Sequence, residues 1–125
     1  MGINVLVVDD SSTMRSMVQK VLSMSGLPIG SFFQAENGRE GLDVLDKEWI
    51  DIALVDINMP IMTGMEMIDQ LRDKPDLCEL PIVVVSTESS ESRISEIKEK
   101  GIRFVHKPFT PELMRSVVED LLGEF

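Results

Sequence analysis

"DIALVDINMP", residues 51–60, drives four apolar residues, Ile52 to Val55, straight into Asp56 and then turns at Pro60. An unbroken apolar run of this length is what a parallel strand covered on both faces requires. Yet the run ends on a carboxylate, one of the side chains least willing to leave water. A lone acid at such a place marks a strand's exit to solvent. A functional reading depends on what stands at the ends of the other strands.

Working outward, "INVLVV" (3–8) and "PIVVVS" (81–86) have the same continuous apolar character, and "SFFQA" (31–35) and "RFVH" (103–106) complete the strand candidates. Helical patterns lie between them. Met14, Met17, Val18, Val21 and Leu22 keep the three-and-four spacing of a core-facing stripe. Met114, Val117, Val118, Leu121 and Leu122 repeat it near the end of the chain. Asn37 with Glu40, and Thr63 with Glu66, read as capping boxes. Thr110 followed by Pro111 sets an N-cap before the residue best suited to the first helical position. After Ser90, Ile94 and Ile97 are nearly the only apolar residues, which predicts a weakly packed helix suited to movement. Strand–helix alternation five times over predicts an α/β fold, a five-stranded parallel sheet with helices on both faces. In such sheets ligands bind beyond the carboxyl ends of the strands.

Those ends carry polar groups. The first strand stops at Asp9 and Asp10, the third at Asp56, the fourth at Ser86 and Thr87, and the fifth at Lys107. The second ends in "AEN", where Asn37 is better explained as a helix cap, so it belongs away from the site. Carboxylates crowded together repel, by about 4 kcal/mol for two charges ~4 Å apart at an effective dielectric of 20. One lysine cannot balance three of them, and a divalent cation is the simplest remedy. Oxygen donors without a Cys or His cluster select magnesium, with manganese as the alternative, over zinc. A metal beside a carboxylate, a hydroxyl and a lysine is equipment for phosphoryl transfer, with Asp56 as the attacking group.

Bulk properties agree with one soluble domain. A chain of 125 residues with 43% hydrophobic content can build a single core. Twelve basic residues against 22 acidic ones give a net charge of −10, which repels nucleic acid and anionic lipid. No apolar run is long enough to insert in a membrane and no secretory signal is legible. Cys78 is the only cysteine, which excludes internal disulfides and fits a cytoplasmic, reducing location. His106 reads as an ordinary strand residue, Trp49 as locally packed, and Glu96 to Lys100 as a solvated helix face. The methionines from Met59 to Met67 read as core filler, with Met62 a candidate for exposure.

"VLVVDDSSTMR", "AENGREGL", "DINMPIMTGMEM", "PIVVVST" and "FVHKPF" follow one another along the whole chain. Together they resemble the receiver domain of bacterial response regulators, most closely its stand-alone chemotaxis members. The resemblance implies that family's flavodoxin-like fold, with the strand order 2-1-3-4-5. The resemblance implies that residues 1–125 form a single receiver without an output domain, phosphorylated on Asp56 in two-component signalling. It further implies magnesium held by the side chains of Asp10 and Asp56 and the backbone carbonyl of Asn58, with Asp9 acting mostly through water. Ser86 matches the switch hydroxyl, Lys107 the family lysine with a cis bond to Pro108, and Phe104 the aromatic switch. Asn58 and Glu88 match the positions that tune phosphate lifetime. Two positions depart from the chemotaxis pattern: Phe104 replaces a tyrosine, so that coupling relies on ring packing, and Ile57 replaces an aromatic residue.

The implied partners are a histidine kinase or phosphotransfer domain, a downstream protein such as the flagellar motor switch, and a phosphatase. The expected state is a monomer that signals through the fourth helix, fifth strand and fifth helix. One alternative keeps the chemistry but relays phosphate or regulates another protein. A metal-dependent aspartyl-phosphate phosphatase is disfavoured because position 58 is Asn where a second acid is wanted. A flavodoxin-like electron carrier is disfavoured because "DDSST" puts two negative charges where a flavin phosphate would sit.

Overall fold

A computed structural model describes residues 2–87 and 89–123. Strands β1 (Ile3–Val8), β2 (Ile29–Ala35), β3 (Ile52–Val55), β4 (Ile82–Ser86) and β5 (Arg103–His106) form one parallel sheet in the order β2-β1-β3-β4-β5. The helices are α1 (Ser12–Met24), α2 (Gly38–Lys47), α3 (Gly64–Arg72), α4 (Glu91–Glu99) and α5 (Pro111–Leu122). Alternate residues of each strand face opposite sides, and the core divides accordingly. Leu6, Val8, Val55 and Val84 pack with α2, α3 and Ile97 of α4. Val5, Val7, Leu54 and Val83 pack with α1 and α5. Both faces are covered, which is why β3 is apolar throughout and β1 and β4 depart from apolar residues only at Asn4 and Ser86.

Several helix starts obey their local signals. The Thr63 hydroxyl accepts the Glu66 N–H at 3.2 Å while the Glu66 carboxylate accepts the Thr63 N–H at 3.1 Å, a closed capping box. Thr110 caps α5 ahead of Pro111. At α2 the box stays open. Asn37 accepts the Glu40 N–H at 2.9 Å, but the Glu40 carboxylate accepts from Glu36 N–H at 3.4 Å instead of from the Asn37 backbone. An asparagine amide, unlike a threonine hydroxyl, brings a nitrogen donor of its own, and it lies 3.5 Å from that carboxylate.

Other expectations need correction. The core stripe of α1 is Arg15, Val18 and Leu22, while Met17 is 47% exposed. The helix is rotated from the purely apolar reading because a buried arginine occupies a core-facing position. Leu121, at the outer edge of α5, is 36% exposed. Strand β2 begins at Ile29, where Pro28 and Gly30 disguise it as a turn. Trp49 is 78% exposed; its indole N–H donates to Asp51 Oδ1 at 3.1 Å and its carbonyl accepts from Asn4 Nδ2 at 2.9 Å. Met62 is half-buried, so close to Gly38 that a Cβ there would meet its Cγ at 2.9 Å. Helix α4 is as weakly anchored as its composition implies, with Ile97 its only fully buried residue.

Candidate functional site

At the carboxyl edge of the sheet, backbone bonds set the strand ends side by side. The Asp9 N–H donates to Ala35 O at 3.0 Å, the Asp56 N–H to Val8 O at 2.9 Å, and the Lys107 N–H to Ser86 O at 2.9 Å. Asp9, Asp10 and Asp56 are thereby gathered, and one carboxylate oxygen from each lies within 4.8 Å of the others. Their environments differ. Asp9 is buried, Asp56 half-buried and Asp10 exposed. Asn58 is exposed on the following loop, and Ser86 is 1% exposed at the end of β4. Glu88 lies outside the described residues.

Lys107 reaches back into this cluster from the end of β5. Its ammonium lies 3.0 Å from Asp9 Oδ2 and 3.8 Å from Asp56 Oδ2, and its bond to Pro108 is cis. Asp9 is committed on both oxygens, since Oδ1 also accepts the Ser11 N–H at 2.9 Å. Asp56 uses Oδ1 to accept the N–H of Ile57 at 2.8 Å. Burial of Asp56 pushes its pKa above the ordinary carboxylate value; Lys107 opposes this, Asp9 adds to it, the Ile57 N–H opposes it and Asp10 adds to it. An acid that resists ionisation in the bare protein is one whose charge is stabilised when a cation arrives.

The donor set fits a hard divalent cation. It is all oxygen, and the cluster contains no His or Cys. Oxygens within 4.8 Å of one another are close to the separation of two ligands on one magnesium ion, each about 2.1 Å from it. Asp9, already tied to Lys107 and Ser11, is the carboxylate least available for direct contact. Residues 5–119 match the response regulator receiver domain family.

The chain belongs to that family. A chemotaxis protein CheY homolog of Campylobacter jejuni is 36% identical over 120 residues, spanning 94% of this chain and 91% of its own. CheY1 of Helicobacter pylori is 33% identical over 120 residues, spanning 94% and 95%. The solved structure of the Vibrio cholerae chemotaxis protein CheY4 has a TM-score of 0.84 at 33% identity and spans 98% of this chain and 100% of that one. Receivers of this kind are phosphoacceptors of two-component signalling, so a kinase or phosphotransfer partner and a downstream target follow from membership. Among the described residues no helix is long and apolar enough to cross a membrane.

Two parts of this receiver escaped the sequence reading. Arg15 is buried and donates to Asp9 O at 2.6 Å and to Gln34 Oε1 at 3.0 Å, with Glu36 at 3.9 Å, so it braces the acidic turn from behind. Its seven-residue separation from Leu22 within a core stripe was the available signal. Gly64 is the other. Its N–H donates to Ile57 O at 2.9 Å, and a Cβ there would come within 2.2 Å of the Asp56 carbonyl oxygen. Only glycine lets α3 begin this close to the acceptor loop.

Proposed function

We propose that Asp56 accepts a phosphoryl group from a phosphohistidine or a small acyl phosphate, and that magnesium assists. The observation that carries the proposal is the three-carboxylate cluster closed by one buried lysine. Asp10, Asp56 and the Asn58 carbonyl, with Asp9 acting through water, would hold magnesium, which would supply positive charge to the phosphoryl oxygens. The residues of the chain do the rest. An Asp56 oxygen attacks phosphorus, the donor's bond to that phosphorus breaks, and the donor leaves with its bonding electrons. Asp9 orients the Lys107 ammonium, which then neutralises a second phosphoryl oxygen. Ser86 donates its hydroxyl to a third, and Asn58 and Glu88 tune the lifetime of the product.

Phosphorylation then shifts a two-state equilibrium in which Ser86 and Phe104 move together. The output face is α4–β5–α5. Phe104 lies half-buried beside a cleft of about 370 Å³ lined with Lys98, Arg103 and Leu121. The sparse packing of α4 makes that face the easiest to rearrange. The chemotaxis names of the relatives favour a flagellar motor switch as the target. Residues 1–125 act as one receiver in the cytoplasm. The test is intact-mass analysis after incubation with acetyl phosphate and magnesium. One phosphate is expected on the wild type and none on Asp56→Asn; equal labelling of both would sink the assignment.

A further inference from the structure

A cleft lies at the amino ends of β3 and β4, on the opposite edge of the sheet from Asp56. The turn after α2 and the loop between α3 and β4 enclose its volume of about 330 Å³. Its floor is apolar, built from Leu45, Ile50, Leu77 and Leu80. Its rim carries Glu48, Asp51, Asp76 and Glu79, and among the described residues no basic side chain lines it. Among the described residues none of Glu48, Asp76 and Glu79 forms an ion pair. Trp49 stands over the cleft, 78% exposed, and Asp51 orients its indole N–H. A tryptophan this exposed leaves most of its apolar ring in water.

We propose that this cleft docks a partner protein through a segment in which arginine alternates with aliphatic residues. The chemistry is complementary at each point. Aliphatic side chains cover the leucine and isoleucine floor. A guanidinium stacks on the face of Trp49 and pairs with a neighbouring rim carboxylate, an arrangement that suits arginine better than lysine. The unneutralised acids repel phosphate groups, so neither a nucleic acid nor an anionic membrane is the occupant. Because the cleft and the acidic cluster occupy opposite edges of the sheet, docking is constitutive. It does not rest on the phosphoacceptor reading, and it persists if that reading fails.

Trp49 is the only tryptophan, so its emission reports directly on the cleft. The probe is a short blocked peptide alternating arginine and leucine, titrated into the full chain at low salt. The expected result is a saturable change in emission, weakened by added salt, with the same affinity for wild type and Asp56→Asn. Glu48→Gln/Asp76→Asn/Glu79→Gln lowers the affinity by about tenfold or more. Glu91→Gln/Glu96→Gln/Glu99→Gln removes the same charge from α4 and leaves the affinity unchanged. Asp51 is kept because it also accepts the Asn4 N–H at 2.8 Å. Equal weakening by both triple variants overturns the proposal by showing attraction to net charge alone. Equal binding of a glutamate–leucine peptide, or emission that changes with protein concentration alone through self-association, overturns it as well.

Discussion

Replacing Lys107 by methionine keeps most of the side-chain volume and removes the one cation of the acidic cluster. The ammonium lies 3.0 Å from Asp9 Oδ2 and 3.8 Å from Asp56 Oδ2, and both Lys107 and Asp9 side chains are below 10% exposed. At an effective dielectric of 20 the two attractions amount to ~5.5 and ~4.4 kcal/mol before desolvation is charged against them. The desolvation of all three groups cancels much of that, but the variant leaves Asp9 buried and unpaired. Breaking one side of a buried pair costs about 3–5 kcal/mol. For a chain of this length that lowers the melting temperature by about 10–20 °C. Urea denaturation in EDTA measures the loss, and the same series in magnesium should recover part of it because an ion replaces the missing charge. Lys107→Met/Asp9→Asn should be markedly more stable than the sum of the two single losses predicts. A loss below about 1 kcal/mol, or strict additivity in the double variant, would refute the view that this pair is buried and coupled.

Burial raises the pKa of Asp56, so the folded state holds that proton more tightly than the unfolded chain. The stability it confers is complete below the ordinary value of 3.8 and is lost as pH rises through the raised folded value. In EDTA at neutral pH, Asp56→Asn should therefore unfold at a higher urea concentration than wild type, an advantage that disappears on acidification. An advantage that grew on acidification would show the shift to have the opposite sign. Arg15→Met should cost about 2–3 kcal/mol, because the Asp9 carbonyl loses a charged donor in a buried place; an unchanged urea midpoint would deny it a bracing role. Gly64→Ala should displace the acceptor loop and slow labelling by acetyl phosphate, since a Cβ meets the Asp56 carbonyl at 2.2 Å. Wild-type labelling rates would mean that the loop yields freely. Ile61 holds φ at +68° while 81% exposed, and Ile61→Gly should stabilise by about 1 kcal/mol in urea. A destabilised variant would mean that the isoleucine side chain makes compensating contacts.

The strand cores were legible because parallel strands buried on both faces must be apolar residue after residue, a pattern that needs no partner to be seen. The acidic ends were legible for the same reason, since Asp9, Asp10 and Asp56 interrupt runs that otherwise admit no charge. Capping at Thr63 and Thr110 is a matter of three or four consecutive residues and was equally readable. The rotation of α1 was not. A buried arginine is tolerated because the Asp9 carbonyl and the Gln34 side chain accept its N–H groups and Glu36 pairs with its charge at 3.9 Å. Local sequence therefore determined which residues form strands, where they end, and that the ends are charged. Only the tertiary structure decided that Lys107 would close on Asp9 across 98 residues, that Gly64 would pass against the Asp56 carbonyl, and that Trp49 would stand in water. Those outcomes depend on distances between segments remote in the chain, and a periodicity of two or of 3.6 residues carries no information about them.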